Sequence, residues 1–459
     1  NIPYLDENGQ QQTAASATSV TDQDTAWDGS AGEAWYVVDS NVTIGDRITV
    51  TGTVHLILVD GCALTANLGI QVAEGDSLTI YAQSTGEKMG SLTANVLSYS
   101  YDAAIGGSDG QTAGTITING GMVNAISDFA GAGIGGGDGG SGGIVTINDG
   151  VVNAIGGIGA GIGGGDGGSG GTVTINGGIV NVSCKYIGAA IGGGKNSTNG
   201  GSFSTGTNGT AFIIASGGPA ISDQSQKDSW LGIIIENGTG RVYGNQTLDK
   251  DCTLPAGNTL TVPQGVTFTN KGSFTNKGSL INEGSFTNDG FLTNTGTFTN
   301  LNQLTNTETF NNEGTLVNNG TFNNEGHLAN QNTLINQADF KNTGRLTNDA
   351  ILILGQLITG DGEIDGKGQT IGQGASVSYL DKDGRMQTCS DYTSVSTDTT
   401  TWNDGWYVVA GTVTIDGRIT VTGDVHLILA EGCTLTADQG IQVDDGNSLT
   451  IYAQSTGEK

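Results

Sequence analysis

A six-residue period organises the stretch from residue 266 to 352. A large apolar residue, Phe or Leu, occupies every sixth position, and an asparagine follows two residues after each. Residues six positions apart point in all directions around an α-helix, whereas residues two positions apart lie on one side of a β-strand. Because one apolar residue cannot be buried within so short a unit, the units must stack, and the pattern predicts a β-solenoid with both columns inward. The positions are Phe268, Phe274, Leu280, Phe286, Leu292, Phe298, Leu304, Phe310, Leu316, Phe322, Leu328, Leu334, Phe340 and Leu346, with Asn270, Asn276, Asn282, Asn288, Asn294, Asn300, Asn306, Asn312, Asn318, Asn324, Asn330, Asn336, Asn342 and Asn348.

The asparagine column predicts a hydrogen-bonded ladder. Identical amides stacked at the ~4.8 Å strand spacing can each donate to the next and so satisfy groups that burial would leave unpaired. Three hexads per coil give an 18-residue, three-sided coil. Phe and Leu alternate from Phe274 to Leu328, which leaves a two-sided coil of twelve residues as the alternative. We expect the three-sided coil.

A second repeat, rich in glycine, fills residues 103–201. Each module joins an Ile-Gly-Gly turn to alternating apolar and polar residues, as in AGIGGGDGGSGGTVTINGGIVNVS. The corresponding Ile105, Ile134, Ile162 and Ile191 are 29, 28 and 29 residues apart, the length of one three-strand coil. The chain as a whole is therefore predicted to be all-β, a right-handed parallel β-helix with three sides and a hexapeptide section containing an asparagine ladder.

The chain also contains a long duplication. Trp35 to Lys88 returns as Trp406 to Lys459 at an offset of 371, and Tyr4-Leu5-Asp6 returns as Tyr379-Leu380-Asp381. The second copy stops where the first enters its glycine-rich coils, so we expect a segment of a longer tandem array whose bare strand edge favours head-to-tail self-association. The predicted divisions are an N-terminal cap or linker over a strand edge (1–33), a Gly-rich β-helix (34–262), a hexad solenoid (263–359), a linker or cap (360–405) and the start of a second unit (406–459).

The composition limits the classes of binding partner that the chain can have. The formal net charge is −29 with only 16 Lys and Arg residues, which disfavours nucleic acid and anionic membrane surfaces. No apolar run reaches the ~18 residues of a membrane span. The five cysteines form no Cys-x-x-Cys pair and are predicted to be buried fillers. Cys389 stands where the first copy has Ala14, so a Cys389–Cys433 disulfide remains open in the second copy alone.

Several motifs together resemble a known class of surface protein. They include YLDENG, WYVV, VHLIL followed by DGC and LTA, GAGIGGGDGGSGGTVTINGG and LPAGNTLTVPQGVTFTN. Through these motifs, which extend over nearly the whole chain, the sequence resembles large secreted surface proteins of Gram-positive gut and anaerobic bacteria. Such proteins are described as adhesin-like or carbohydrate-binding β-helix proteins. The resemblance implies export, attachment to the cell surface, a repetitive stalk and contact with glycans. It supplies no catalytic motif.

Three aspartates form a candidate calcium site. Asp109, Asp138 and Asp166 occupy equivalent Ile-Gly-Gly-x-Asp-Gly turns, with Lys195 at the fourth place. Stacked carboxylates repel one another, and a Ca²⁺ ion with glycine carbonyls around it would remove that repulsion. Asp-Gly is also a favourable turn in its own right, and the strict calcium-binding GGxGxD repeat is missing. Both interpretations stay open, with Lys195 as the counter-charge of the column.

Aromatic residues are the candidate glycan contacts, since flat apolar rings stack on sugar faces. Tyr99 and Tyr101 are predicted to alternate on one strand face and are the preferred pair. Trp35 and Tyr36 recur as Trp406 and Tyr407, which favours a structural role in cap or core.

An enzyme is not expected. Lyases and hydrolases built on β-helices need clustered carboxylates, or Ca²⁺ beside a basic residue. His55, His327 and His426 are far apart, and the arginines do not cluster with carboxylates. We therefore expect a stalk or fibre segment of a secreted cell-surface adhesin, bound to neighbouring tandem units or to further copies. A carbohydrate-binding module for a polysaccharide or host glycan is the alternative, and a polysaccharide-degrading enzyme comes third.

Overall fold

The structure, a computed structural model, describes residues 1–96, 99–206, 209–372, 375–410, 412–430 and 433–455. The chain forms two compact units, Asn1–Cys252 with Asn258–Leu260 and Thr253–Gly257 with Thr261–Lys459. Almost every ordered element is a β-strand, and a 3-10 turn at Lys227–Ser229 is the one helical element among the described residues. None of the helical structure there is long or apolar enough to cross a membrane.

The strands of the first unit are short, as the alternation of apolar and polar residues predicts. They are β1 (Ile2–Leu5), β2 (Gln11–Ala14), β3 (Thr18–Ser19), β4 (Ala26–Val38), β5 (Val42–Ile44), β6 (Ile48–Leu58), β7 (Ala63–Ala66), β8 (Ile70–Val72), β9 (Ser77–Ala82), β10 (Ser91–Val96), β11 (Ile105–Gly106), β12 (Thr115–Ile118), β13 (Met122–Ser127), β14 (Ile134–Gly135), β15 (Ile144–Ile147), β16 (Val151–Gly156), β17 (Ile162–Gly163), β18 (Thr172–Ile175), β19 (Ile179–Cys184), β20 (Ile191–Gly192), β21 (Ser202–Thr205), β22 (Phe212–Ser216), β23 (Gly232–Glu236), β24 (Thr239–Tyr243) and β25 (Gln246–Leu248). Two further strands contain residues of both units, β26 (Cys252–Leu254) and β27 (Thr259–Val262).

Three parallel faces build the coils of the first unit. The first face stacks β8, β11, β14, β17 and β20, the second stacks β9, β12, β15, β18 and β21, and the third stacks β7, β10, β13, β16, β19 and β22. Ile105, Ile134, Ile162 and Ile191 pair directly with one another. The predicted parallel, three-sided coil is thereby confirmed. The antiparallel pair β23–β24 is an exception within this unit.

Glycine is indispensable at one place in each coil. Gly106, Gly135, Gly163 and Gly192 follow the four isoleucines, with φ between +137° and +139°. A Cβ atom built on Gly163 would lie 1.9 Å from the carbonyl oxygen of Gly192. Only a residue without a side chain permits both this backbone conformation and such close stacking.

The first hairpin lies on a sheet face, which differs from the predicted cap over a strand edge. The strands β1 and β2 pair antiparallel, and we name this hairpin the clasp. Tyr4 of the clasp packs on the rings of Trp35 and Tyr81, at centroid distances of 5.1 and 4.7 Å. These rings point outward from β4 and β9, together with buried Val37 and Ile57. An apolar outer face needs cover from water, and the clasp provides it.

The strands of the second unit begin with the hexads. They are β28 (Thr267–Asn270), β29 (Ser273–Asn276), β30 (Ser279–Asn282), β31 (Ser285–Asn288), β32 (Phe291–Asn294), β33 (Thr297–Asn300), β34 (Gln303–Asn306), β35 (Thr309–Asn312), β36 (Thr315–Asn318), β37 (Thr321–Asn324), β38 (His327–Asn330), β39 (Thr333–Asn336), β40 (Phe340–Asn342), β41 (Arg345–Asn348), β42 (Ile351–Leu354), β43 (Ile358–Thr359), β44 (Glu363–Asp365), β45 (Gln369–Gly372), β46 (Val377–Leu380), β47 (Met386–Cys389), β48 (Thr393–Ser394), β49 (Thr401–Trp402), β50 (Gly405–Val409), β51 (Thr412–Ile415), β52 (Ile419–Val421), β53 (Asp424–Leu429), β54 (Thr434–Ala437), β55 (Ile441–Val443) and β56 (Ser448–Ala453).

Hexads pair with the third hexad along, not with the second. Phe268 lies beside Phe286 and Leu280 beside Phe298 in parallel strands, so the coil has 18 residues and three sides. The twelve-residue alternative is wrong. Alternation of Phe and Leu along the chain instead places a large ring beside a smaller side chain in most columns, which fills the narrow interior evenly.

The asparagine ladder is present and inward. Asn312 is fully buried; it accepts from Asn294 Nδ2 and donates to Asn330 Oδ1, each at 2.8 Å. The second amide proton of Asn312 goes to the carbonyl oxygen of Thr333 at 2.8 Å. The bonded columns run Asn270–Asn288–Asn306–Asn324–Asn342, Asn276–Asn294–Asn312–Asn330–Asn348 and Asn282–Asn300–Asn318–Asn336.

The solenoid continues beyond the predicted boundary at residue 359. β43, β44 and β45 pair in parallel with β40, β41 and β42, although this last coil has lost the hexad sequence. Ile371 is fully buried, but it lies in the outward column beside Ile353 and packs in a hydrophobic cluster with Val377 and Cys389 of β46 and β47. Residues 373–374 of the predicted linker lie outside the described residues, as do residues 411, 431–432 and 456–459 of the second copy or its approach.

The second copy reproduces the clasp of the first. The hairpin β46–β47 brings Tyr379 to 4.8 Å from the ring of Trp406. Cys389 and Cys433 belong to the hydrophobic cluster beneath this hairpin, yet all five cysteines are free thiols. The disulfide left open by the sequence is not formed. Cys184, Cys252 and Cys389 are buried, whereas Cys62 and Cys433 are half-buried.

Candidate functional site

Loops that follow the third face of the first unit stack on one another. Backbone amides of one loop donate to backbone carbonyl oxygens of the preceding one. The pairs are Asp128 to Val96 at 3.1 Å, Ile158 to Phe129 at 2.6 Å and Tyr186 to Gly157 at 3.2 Å. Each bond joins one coil to the next. Side chains that leave these loops therefore form a column on the outside of the coils.

This column is an exposed apolar surface, which we name the aromatic ledge. Tyr99, Tyr186, Ile187 and Tyr101 are 79%, 64%, 63% and 47% exposed. Phe129 belongs to the neighbouring loop of the stack, and its ring centroid lies 5.5 Å from those of Tyr99 and Tyr101, at a steep angle to each. The ledge borders a depression of about 710 Å³ lined by Tyr99, Asp128, Phe129, Ile158, Lys185, Tyr186, Ile187 and Lys195.

The predicted strand around Tyr99 and Tyr101 is wrong. β10 ends at Val96, and Tyr99 has a φ of +59°, a left-handed conformation that few non-glycine residues adopt. Both rings are nevertheless exposed, side by side with Phe129.

The motifs of the sequence do not point to Phe129, Tyr186 and Ile187. A signal was present, because the loops are equivalent in the 28- and 29-residue repeat. Counting back four or five residues from the isoleucine of each module reaches Tyr101, Phe129, Ile158, and Tyr186 with Ile187. An outward column of large apolar residues in an otherwise Gly-rich repeat indicates a surface with a role of its own.

Two lysines lie at the rim of the depression. Lys185 forms an ion pair with the carboxylate of Asp128. Lys195 follows the fourth Ile-Gly-Gly turn, and its amide donates to the carbonyl oxygen of Ile158 at 3.1 Å. The rim thus carries both signs of charge.

The predicted aspartate column exists and adjoins the ledge. The backbone amide of Gly110 donates to the backbone carbonyl oxygen of Asp138 at 2.9 Å, and that of Gly139 to the backbone carbonyl oxygen of Asp166 at 2.8 Å. These bonds stack the three turns. The amide of Asp138 donates to the carbonyl oxygen of Tyr101 at 2.8 Å. Two candidate sites that are separate in sequence are therefore joined by the backbone.

Repulsion within the column acts on its middle member, Asp138. Burial raises the pKa of Asp138 above its ordinary value, and the carboxylates of Asp166 and Asp109 raise it further. Asn196 Nδ2, and not Lys195, is bonded to the Asp166 carboxylate, at 2.8 Å. Among the described residues, no group of three or more His, Cys, Asp or Glu side chains is arranged to hold a metal ion. Calcium at Asp109, Asp138 and Asp166 stays a prediction.

Replacement of Asp138 by Asn is expected to raise the melting temperature at neutral pH in the presence of EDTA. A raised native pKa means that the native state binds the proton more tightly than the unfolded state does, so ionised Asp138 destabilises the fold above that pKa. The gain should shrink as the pH falls through the raised pKa and below the ordinary value of 3.8, because Asp138 is then protonated in both the native and the unfolded state. Scanning calorimetry across this range, with Asp109→Asn at the column end as the control, measures the effect. If calcium binds, it should stabilise the wild type more than Asp138→Asn; equal stabilisation of both proteins would exclude the column as its site.

The histidines take part in packing. His55 stacks on Trp35 at 4.2 Å, and its Nδ1 lies 3.0 Å from the hydroxyl of Tyr81. Burial lowers the pKa of His55, which favours the neutral ring beneath the clasp. Trp35 is part of this cluster, while Tyr36 packs against the core and stacks on buried Trp27 at 5.4 Å. Both residues have the structural role that their recurrence predicts.

Comparison with known proteins bears on the repeat alone. A family model described as a beta helix repeat matches residues 116–138 and 145–166, the segments that end in the turns of Asp138 and Asp166. No curated protein and no solved structure is measurably similar to the chain. The match agrees with the observed coils and identifies the chain as similar to parallel β-helix proteins.

Proposed function

We propose that the chain is a non-catalytic stalk or fibre segment of a secreted, tandemly repeated cell-surface adhesin. The carrying observation is the contact-by-contact repetition of the clasp and its coils. The ring of Trp35 lies 4.2 Å from His55 in the first copy, and that of Trp406 lies 4.4 Å from His426 in the second. Duplication of the clasp and of the coils beneath it adds length without adding a new site, which is the construction of a repeat array.

Location at the surface is the direct test of this proposal. Antibodies raised against the hexad solenoid should label intact cells of the source organism, and protease added outside the cells should remove the signal. An antibody against a cytoplasmic protein serves as the control for lysis. Labelling that requires broken cells would contradict a surface stalk.

The aromatic ledge supports a second candidate, a carbohydrate-binding module. Water-exposed rings are costly unless a partner covers them, and contiguous exposed apolar surface marks binding sites. Tyr99 and Tyr186 present open ring faces beside paired charges at Asp128 and Lys185. Sugars offer matching groups, an apolar face of C–H bonds and a rim of hydroxyls.

Truncation of the ledge is expected to weaken glycan binding by about tenfold per ring, since buried aromatic anchors dominate binding energies. The variants are Tyr99→Ala and Tyr186→Ala, tested on a glycan array with calcium and with EDTA. Phe291→Ala is the matched control, because Phe291 is an equally exposed ring, at 63%, on the hexad solenoid. Binding that falls equally in all three variants, or in none, would count against the ledge.

A further inference from the structure

A second asparagine ladder runs along the outside of the third face. Thr93, Asn124, Asn153, Asn181 and Ile214 are register partners in β10, β13, β16, β19 and β22. Asn153 Nδ2 donates to Asn124 Oδ1 at 2.7 Å, and Asn181 Nδ2 donates to Asn153 Oδ1 at 2.9 Å. Unlike the hexad amides, these side chains are only half-buried.

The outer ladder forms the floor of a groove of about 500 Å³. A neighbouring column supplies apolar side chains, because Ile126 and Ile155 are register partners one strand apart and both point outward. The groove is lined by Thr93, Asn95, Asn124, Ile126, Asn153, Ile155, Asn181, Val182, Ser183, Ile214 and Ser216. None of these residues is charged, in a chain that carries 45 acidic and 16 basic residues.

The ladder leaves hydrogen-bonding capacity for a ligand. Each amide nitrogen carries two protons, and the ladder uses one of them. For Asn124, Asn153 and Asn181 no second acceptor is present among the described residues. At the end of the ladder, Asn181 Oδ1 has no donor within the described part of the chain and faces the apolar Ile214. Donors thus recur once per coil, at the ~4.8 Å strand spacing.

We propose that this groove binds a neutral, unbranched polysaccharide that lies along the stacking direction of the coils, with about one sugar for each coil. A pyranose is similar in length to the coil spacing and presents hydroxyls to the amides and C–H groups to Ile126 and Ile155. An extended peptide fits less well, because its groups on one side recur every two residues, at roughly 6.6 Å, and drift out of step with the amides. Acidic polymers lack a cation here to pair with.

This inference extends the carbohydrate-binding candidate to a surface that the aromatic ledge does not share. The decisive variant is Ile155→Asp, which puts a charge on the groove floor that a neutral sugar would have to desolvate. Thr146→Asp is the matched control, since Thr146 points outward from β15 in the same coil on another face. Asn153→Ala is a second variant without any new charge. Circular dichroism verifies that all three remain folded.

Native affinity electrophoresis in hydroxyethyl cellulose, glucomannan and polygalacturonate provides the measurement. We expect at least one neutral polymer to retard the wild type, Thr146→Asp to bind equally, and Ile155→Asp to bind about tenfold more weakly. Binding of neutral oligosaccharides, from disaccharide to octasaccharide, should strengthen up to about five sugars, since the groove crosses five strands.

The outcomes separate this groove from the ledge. Loss of binding in Tyr186→Ala with full binding in Ile155→Asp would overturn the groove and leave the ledge as the sugar site. Loss of binding in Ile155→Asp with full binding in Tyr186→Ala supports the groove and counts against the ledge. Retardation by polygalacturonate alone, affinity that no longer rises beyond the disaccharide, or no retardation by any polymer would each overturn the proposal. Binding of an extended peptide in preference to every neutral glycan would do the same.

Discussion

Alanine at Gly163 is expected to destabilise the first unit by more than about 4 kcal/mol, in the range of the most damaging single substitutions. The new Cβ would lie 1.9 Å from the carbonyl oxygen of Gly192, and φ at this position is +137°. Gly192 is held from both sides, because its carbonyl oxygen accepts from the amide of Gly164 at 2.9 Å and Ser222 Oγ lies 2.3 Å from the position of a Cβ on Gly192. Thermal unfolding should show a fall in melting temperature of about 10 °C for the transition of this unit.

Gly167→Ala is the control for backbone strain alone. Gly167 belongs to the same turn and also has a positive φ, +74°, but nothing lies within 4 Å of the position of its Cβ. A cost of about 1–2 kcal/mol is expected there. Equal losses in the two variants would mean that conformation, and not the close approach of successive turns, requires the glycines.

Leucine at Asn312 is expected to cost about 3 kcal/mol. The substitution keeps the branched outline of the side chain and removes the amide, so Asn330 Oδ1 loses its donor and Asn294 Nδ2 loses one of its two acceptors in the buried interior. Each buried polar group left unpaired costs about 1–3 kcal/mol. Urea unfolding followed by circular dichroism measures the difference in free energy between variant and wild type.

Asn311→Leu is the matched control, one residue earlier in β35 and outward. The same chemical change at this half-exposed position should alter stability by less than about 0.5 kcal/mol. A variant at Asn312 that unfolds at the wild-type urea concentration would show that the inner amides contribute nothing beyond their volume.

Much of the fold could be predicted from residues 266–352, and the reason is geometric. Phe and Asn two residues apart must share a side of a strand, and a narrow interior then requires every amide to find the next one. The 18-residue coil was the preferred expectation from the same pattern, although the alternation of Phe and Leu left a twelve-residue coil open. In the first unit, Ile105 and its three counterparts set the coil length because they are both apolar and equally spaced.

The candidate site was harder to predict, because outward residues follow no rule of burial. Tyr99 was placed on a strand by its alternation with Tyr101, yet alternation is informative only where one side is buried. The sequence pattern does not indicate Phe129 and Tyr186, because they lie in separate loops. Only the stacking of coils brings them together. The clasp was misplaced for a related reason, as Tyr4 finds Trp35 and Tyr81 across long separations in the chain.

The ladder of the hexad solenoid has a consequence for its gene. Every rung joins residues 18 apart and an asparagine stands at every sixth position, so adding or deleting a multiple of six codons leaves each remaining amide with an equivalent partner, while any other change in length shifts a column out of line. Lineages can therefore lengthen or shorten this section in whole coils with little effect on the rest of the molecule. Selection can then adjust the length of the section independently of the fold.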